Sequence, residues 1–193
     1  MKQKFVKKRV FLAIRFPSRV KKNLKQIEEI LIQELGKKKI KWISPSSLHL
    51  TLFFLGWVDE KVIFKMKRFL VSAAAQQEIF NLYLKDFGAF PSLEKPRVLW
   101  VGIGGQTKEL DSLANKIEEI MRRFELFPDN HFLPHITLGR VKAPVTISAR
   151  SIGKVEQLLK EKKQFPVREF ILFESQLSNK GAVYTPLIRF SFS

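Results

Sequence analysis

Two histidines stand in matching surroundings: His49 in "SSLHLTLFFLG" (residues 46–56) and His135 in "LPHITLGRV" (residues 133–141). Each is followed two positions later by a threonine, Thr51 and Thr137. Around His49, the apolar Leu48, Leu50 and Leu52 alternate with His49 and Thr51, the period-2 signal of a half-buried strand. In a strand, residues i and i+2 share a face, so His-x-Thr sets an imidazole beside a hydroxyl about 7 Å away at the Cα atoms. Two such units surround a small anion with two rings and two hydroxyls. A phosphodiester suits that arrangement: the hydroxyls bind non-bridging oxygens, while the rings flank the line from attacking to departing oxygen. An imidazole pKa near ~6.5 allows one neutral ring as base and one protonated ring as acid.

One histidine on a strand is commonly a structural residue satisfied by a neighbour. Thr51 and Thr137, taken singly, are ordinary β-branched strand residues. The pairing gives them meaning. The three histidines lack HExxH-type spacing and no Asp/Glu cluster accompanies them, which argues against a two-metal nuclease; no metal and no cofactor is expected. Without a metal, an unactivated diester is attacked slowly by water, so a strained cyclic phosphate is the substrate class expected. RNA ends form a 2',3'-cyclic phosphate, and DNA, lacking the 2'-hydroxyl, does not. Arg140 departs from the His/Thr parity but closes the strand and is a candidate bidentate ligand of the anion, with a plain surface arginine as the alternative. His131, ahead of Pro134, reads as a loop or rim residue.

The elements that must position these residues are legible as periodicities. A strand at about 5–15 precedes an amphipathic helix carrying Val20, Leu24, Ile27, Leu31 and Leu35, with Gly36 as its stop. The short "IKWI" strand and the His49 strand follow, then a helix capped by Asp59 with Val62, Met66, Phe69 and Ala73 inward, and an extended stretch at 79–90. After Pro91 and Pro96 the order recurs: "RVLWVGI", a helix from Thr107 with Leu110, Leu113, Ile117, Ile120 and Phe124, and the His135 strand. A helix at about 148–162 with Ile152, Val155 and Leu159, and two closing strands, complete the chain. Displacement by 86 residues, the separation of the histidines, brings Val98 onto Leu12, the helix at 107–124 onto 21–38, that at 148–162 onto 62–76 and residues 167–176 onto 81–90. That is the mark of an internal duplication. The expected fold is α+β: one bilobal domain over 1–193, with pseudo-repeats at about 5–91 and 97–176 and a closing strand to 192. Antiparallel sheets line a central cleft, with helices on the outer faces.

The bulk properties agree with such a domain. With 193 residues, 45% of them hydrophobic, the chain can bury a core without stapling, and it has no cysteine for disulfides or thiolate chemistry. The apolar run of "MKQKFVKKRVFLAIRF" breaks at Arg15, too short for a signal-peptide core or a membrane span, so a soluble cytoplasmic protein with no membrane partner is expected. The excess of 35 Lys+Arg over 18 Asp+Glu, +17 in all, favours a polyanionic partner, with a merely solubilising surface as the plain alternative.

"HLTLFFLG" and "PHITLGR" resemble the paired HxTx signatures of the 2H phosphoesterase superfamily. "RVFLAIRFP", "WISPSSLHLTLFFLG", "GAFPSLEKPRVLWVGI", "FLPHITLGRV" and "LFESQLSNKGAVYTPL" resemble, in order, its RNA 2',3'-cyclic phosphodiesterase branch, historically called 2'-5' RNA ligases. The resemblance spans nearly the whole chain. It implies a V-shaped cleft and metal-free hydrolysis of RNA 2',3'-cyclic ends to 2'-phosphomonoesters. It also implies His49 as proton donor to the departing 3'-oxygen, His135 as the group activating water, Thr51 and Thr137 as phosphate ligands, and Arg140 as an accompanying cation. Reversible 2'-5' ligation, or a noncatalytic module that holds an RNA end, are the alternatives. The partner expected is RNA with a 2',3'-cyclic phosphate end, bound by a monomer. Phe53 and Leu133 stand where relatives often carry Arg or Lys, and Phe53, on the assumed parity of His49 and Thr51, is expected to stack the terminal base.

Overall fold

The computed structural model describes residues 6–128, 131–178 and 181–193. The chain runs through β1 (Lys7–Arg15), α1 (Ser18–Leu35), the short β2 (Ile40–Trp42) and a single 3-10 turn (Pro45–Ser47). Then come β3 (His49–Asp59), α2 (Glu60–Ala75) and β4 (Phe80–Phe90). The second half holds β5 (Val98–Gly105), α3 (Thr107–Arg122), β6 (His135–Val141), α4 (Ala149–Leu159), β7 (Phe165–Val167), β8 (Glu169–Ser178) and β9 (Gly181–Ser191).

The helices form where an apolar stripe and a terminal signal coincide. All five predicted core residues of α1 are buried, and Gly36 ends it at φ +77°, donating its N–H to Ile32 O. The Asp59 carboxylate caps α2 by accepting from Lys61 N at 2.8 Å. The buried face of α2 is Ile63, Met66, Leu70, Ala73 and Ala74, rotated from the predicted one, so that Val62 and Phe69 only flank the core. In α3 the stripe is as expected up to Ile120, but the helix ends at Arg122, and Phe124 packs its ring on Phe69 from beyond the end. α4 stops at Leu159, short of 162, and Lys162 takes a positive φ of 44°.

The strands make two antiparallel sheets, ordered β3-β1-β8-β9 and β2-β6-β5-β4-β7. Each sheet therefore draws on both halves of the chain: β4 leaves its own half to pair with β5, and β8 returns to pair with β1. The two lobes expected are present, one per sheet, but each is built from strands of both repeats. Trading the equivalent strand in both directions preserves the pseudo-twofold and lets the inner faces of both sheets share one core, from Val10 and Leu12 through Leu99 and Val101 to Phe170 and Leu172. The duplication is otherwise exact in register to within one residue. Leu12 pairs with Phe53 and Leu99 with Gly139, so Leu99, rather than Val98, occupies the place of Leu12. The helices exchange too: α1 packs on α4, which lies against β4, while α2 and α3 pack together over β3.

Leu50 and Ile136, each between a histidine and a threonine, are fully buried. Burying such a side chain stabilises by about 1.5–3 kcal/mol. A one-residue slip of either strand would put the histidine and threonine in the core instead, so burial fixes which face they occupy.

Gly88 lies opposite Trp100 across the β4–β5 ladder, and a Cβ there would come within 2.3–2.8 Å of three atoms of the indole ring. Gly88→Ala is expected to destabilise the protein by about 1–3 kcal/mol, as overpacking does. Denaturant unfolding measures this, and an unchanged midpoint would contradict the packing described.

Candidate active site

β3 and β6 pack against each other at the junction of the two sheets, and their outward faces open on a single cleft of about 300 Å³. His49, Thr51, His135, Thr137 and Arg140 all line it. His49 Nδ1 lies 2.6 Å from Ser47 O and His135 Nδ1 lies 2.7 Å from Leu133 O. A carbonyl oxygen only accepts, so each Nδ1 carries the hydrogen and donates it. In the neutral ring this makes Nε2 the basic nitrogen, and in the charged ring the second donor. Both rings are thus held in one tautomer by the carbonyl two residues upstream, an arrangement the duplication repeats.

The turn at Pro45–Ser47 positions the first carbonyl: Ser44 Oγ contacts Ser46 Oγ at 3.1 Å and Ser47 Oγ at 2.9 Å. Aromatic rings fix the imidazoles from the sides. Phe11 and Tyr184 lie 4.8 and 5.2 Å from His49, Tyr184 edge-on, and Phe90 meets His135 edge-on at 5.1 Å. Burial holds the His49 pKa below the ordinary histidine value; the charge of His135 lowers it further, against the opposing pull of the Ser47 carbonyl. Glu118, the acid on the cleft wall, has its charge engaged by Arg122 at 2.6 Å. Among the described residues no three His, Cys, Asp or Glu side chains come together to hold a metal ion.

Phe53 borders the cleft, but as a buried residue rather than as its exposed ring. The β1–β3 register shifts between Leu12, opposite Phe53, and Ala13, opposite Thr51, leaving Leu52 as an extra residue. Such a β-bulge reverses the parity of everything beyond it. Phe53 turns inward to 4% exposure against the core, touching the cleft from below, and Phe54, 42% exposed, offers the open ring face. β6 has the same shift between Leu99, opposite Gly139, and Trp100, opposite Thr137, so Leu138 is its extra residue. The matching bulge explains why Arg140, three residues after Thr137, lines the cleft at all: it is the counterpart of Phe54. Gly139, the counterpart of Phe53, has no room for a side chain, because a Cβ would meet Ile40 at 2.6 Å and Trp42 at 3.1 Å. His131 and Leu133 are exposed on the segment ahead of β6 and form part of the rim. Sequence reasoning missed Tyr184, Phe11 and Phe90, which no spacing rule ties to a histidine on another strand.

The family described as LigT like Phosphoesterase matches residues 14–100 and, a second time, residues 101–184. The chain belongs to this family. The double match coincides with the two His-x-Thr units, one in each stretch. The RNA 2',3'-cyclic phosphodiesterase of Archaeoglobus fulgidus is 32% identical over 188 residues, covering 93% of this chain and 97% of its own. That of Thermotoga maritima is 32% identical over 190 residues, covering 95% of each. Among solved structures, E. coli LigT complexed with NADP+ superimposes with a TM-score of 0.76 at 27% identity, over 97% of this chain and 99% of that one. The same protein complexed with 3'-AMP gives 0.74 at 27% identity over the same shares. The relatives thus share the whole two-sheet architecture of this phosphoesterase.

The proximity of the rings makes a direct prediction for titration. His49 should titrate below the ordinary ~6.5, and His135→Gln should move its midpoint upward by removing a neighbouring positive charge. Nitrogen-detected NMR of the imidazoles reports both. A midpoint unmoved or lowered by the substitution would contradict the coupling.

Proposed function

We propose that this phosphoesterase is an RNA 2',3'-cyclic phosphodiesterase that opens the ring to a 2'-phosphomonoester. The observation that carries the reading is the repeated unit itself: two imidazoles, each with Nδ1 tied to a backbone carbonyl and Nε2 left for proton transfer, on one cleft beside two threonines. The relatives' names support the substrate class.

Thr51 and Thr137 bind the non-bridging oxygens. His135 Nε2 takes a proton from water as its oxygen forms a bond to phosphorus. The P–O3' bond breaks in line with the attack, and His49 Nε2 gives its proton to the departing 3'-oxygen. The phosphate remains on the 2'-oxygen, and the net change is the addition of one water. Arg140 neutralises charge gathering on the phosphoryl oxygens. The lowered pKa of His49 favours its neutral form in the free protein. An anionic phosphate between the rings offsets both burial and the charge of His135, so substrate binding itself draws the proton onto His49. One chain supplies all of these groups, and a monomer in the cytoplasm is the form and place proposed for it. Among the described residues no helix is long and apolar enough to cross a membrane.

An oligoribonucleotide ending in a 2',3'-cyclic phosphate, incubated with the protein in EDTA and followed by phosphorus NMR, should yield only the 2'-monophosphate. His49→Ala and His135→Ala should each slow turnover by about 10²–10⁴-fold. A 3'-monophosphate product would reverse the leaving group, and loss of activity in EDTA would reject the metal-free mechanism.

A further inference from the structure

The cleft face of β3 does not end at Phe54. A second register shift in the β1–β3 ladder, between Val10 opposite Gly56 and Phe11 opposite Phe54, leaves Leu55 as another extra residue. Gly56 follows it with φ +71°, a conformation that favours glycine. Without this bulge Phe54 and Trp57 would point to opposite sides of the sheet. With it, Thr51, Phe54 and Trp57 fall on one face, and Trp57 sits directly opposite Arg9. Val58, the next residue, is buried in the core on the other side.

Trp57 is 68% exposed. Together with Phe54 it forms an aromatic strip that runs out of the cleft along an edge strand, since β3 has a hydrogen-bonded neighbour on one side only. Arg9, opposite Trp57, sets its guanidinium 5.9 Å from the centroid of the Phe54 ring, which stacks on Phe11, and it makes no ion pair among the described residues. Its neighbour Lys8, on the opposite face, is engaged by both Glu60 and Glu174. A strand rises about 3.3 Å per residue, which sets the Phe54 and Trp57 Cα atoms roughly 7–10 Å apart. Two flat rings at that spacing, with beside them a cation that has no carboxylate partner among the described residues, match two successive bases and the phosphate that joins them.

We propose that this strip is a binding track for the single-stranded RNA that leads into the cleft. The terminal base stacks on Phe54, the preceding base stacks on Trp57, and Arg9 binds the phosphate linking them. The occupant follows from continuity with the cleft, which Phe54 itself lines, and from the free charge of Arg9 in a chain of net charge +17. The proposal rests on the RNA-end reading above and makes it specific: the substrate is an oligonucleotide end rather than a cyclic mononucleotide.

Three substrates test the track: adenosine 2',3'-cyclic phosphate and the corresponding dinucleotide and trinucleotide, each with the same cyclic end. In the wild-type protein kcat/KM should rise about tenfold from mononucleotide to dinucleotide, the worth of one stacked base, and little thereafter. Trp57→Ala should bring the dinucleotide-to-mononucleotide ratio down by about the same factor, Trp57→Phe should retain most of it, and Arg9→Gln should reduce both the ratio and its salt dependence. Equal kcat/KM for all three substrates, or a ratio unmoved in a Trp57→Ala protein whose circular dichroism is native, overturns the track and leaves the RNA-end reading standing. Wild-type protein inert on all three substrates overturns both. A concentration-dependent dimer that Trp57→Ala dissociates, with the ratio unmoved, assigns the strip to a second copy of the chain instead.

Discussion

The side-chain alternation of two strands, anchored by Leu50 and Ile136, is the constraint from which the rest of the cleft follows. Both residues are completely buried. Because strand periodicity is two, their burial forces the histidine before and the threonine after each of them onto the opposite face. The strand exchange then brings those faces together. β8 and β4 each enter the interior of the sheet begun by the other half of the chain, the two sheets share one core, and β3 meets β6 at their junction. The placement of the two histidines is thus a by-product of core packing, reinforced by a hydrogen bond from each imidazole to a backbone carbonyl.

What the core dictates up to Thr51 and Thr137, the bulges at Leu52 and Leu138 then alter. A bulge lets a strand that is buried on one face re-aim its next residues without surrendering its register further back. In β3 it hides Phe53 and offers Phe54. In β6 it hides Gly139, over which Ile40 and Trp42 close, and offers Arg140. The pseudo-twofold is therefore geometric but not chemical: one half presents an aromatic ring and the other a guanidinium at the same place. The histidines also differ in their neighbours, Phe11 and Tyr184 lying against one ring and Phe90 and Trp100 meeting the other edge-on. Two chemically identical side chains in unlike settings are what acid–base catalysis at one pH requires.

Much of this was legible in the sequence. The leucine alternation around His49, the stripe of α1, the Asp59 cap and the near-constant displacement of the two halves each express a local rule that tertiary structure did not override. The inward face of α2 was misjudged because Val62 and Ile63, like Phe69 and Leu70, are adjacent apolar residues, and helical periodicity alone does not choose between them. Phe53 and Phe54 pose the same problem in a strand: two like residues side by side, with the outcome decided by where the ladder takes up an extra residue. The destinations of β4 and β8 are long-range pairings with no local signature. Tyr184 reaches His49 only because β9 joins the sheet of β1 through β8.

The claim that the two rings act as a base and an acid on one phosphate is tested most directly by the pH dependence of single-turnover cleavage of a 2',3'-cyclic-phosphate oligoribonucleotide. The wild-type protein should give a bell. His135→Gln should lose the acidic limb, since the group that must shed its proton as pH rises is gone. His49→Gln should lose the alkaline limb, since the group that must keep its proton is gone. A bell that survives with both limbs in either variant would contradict the account.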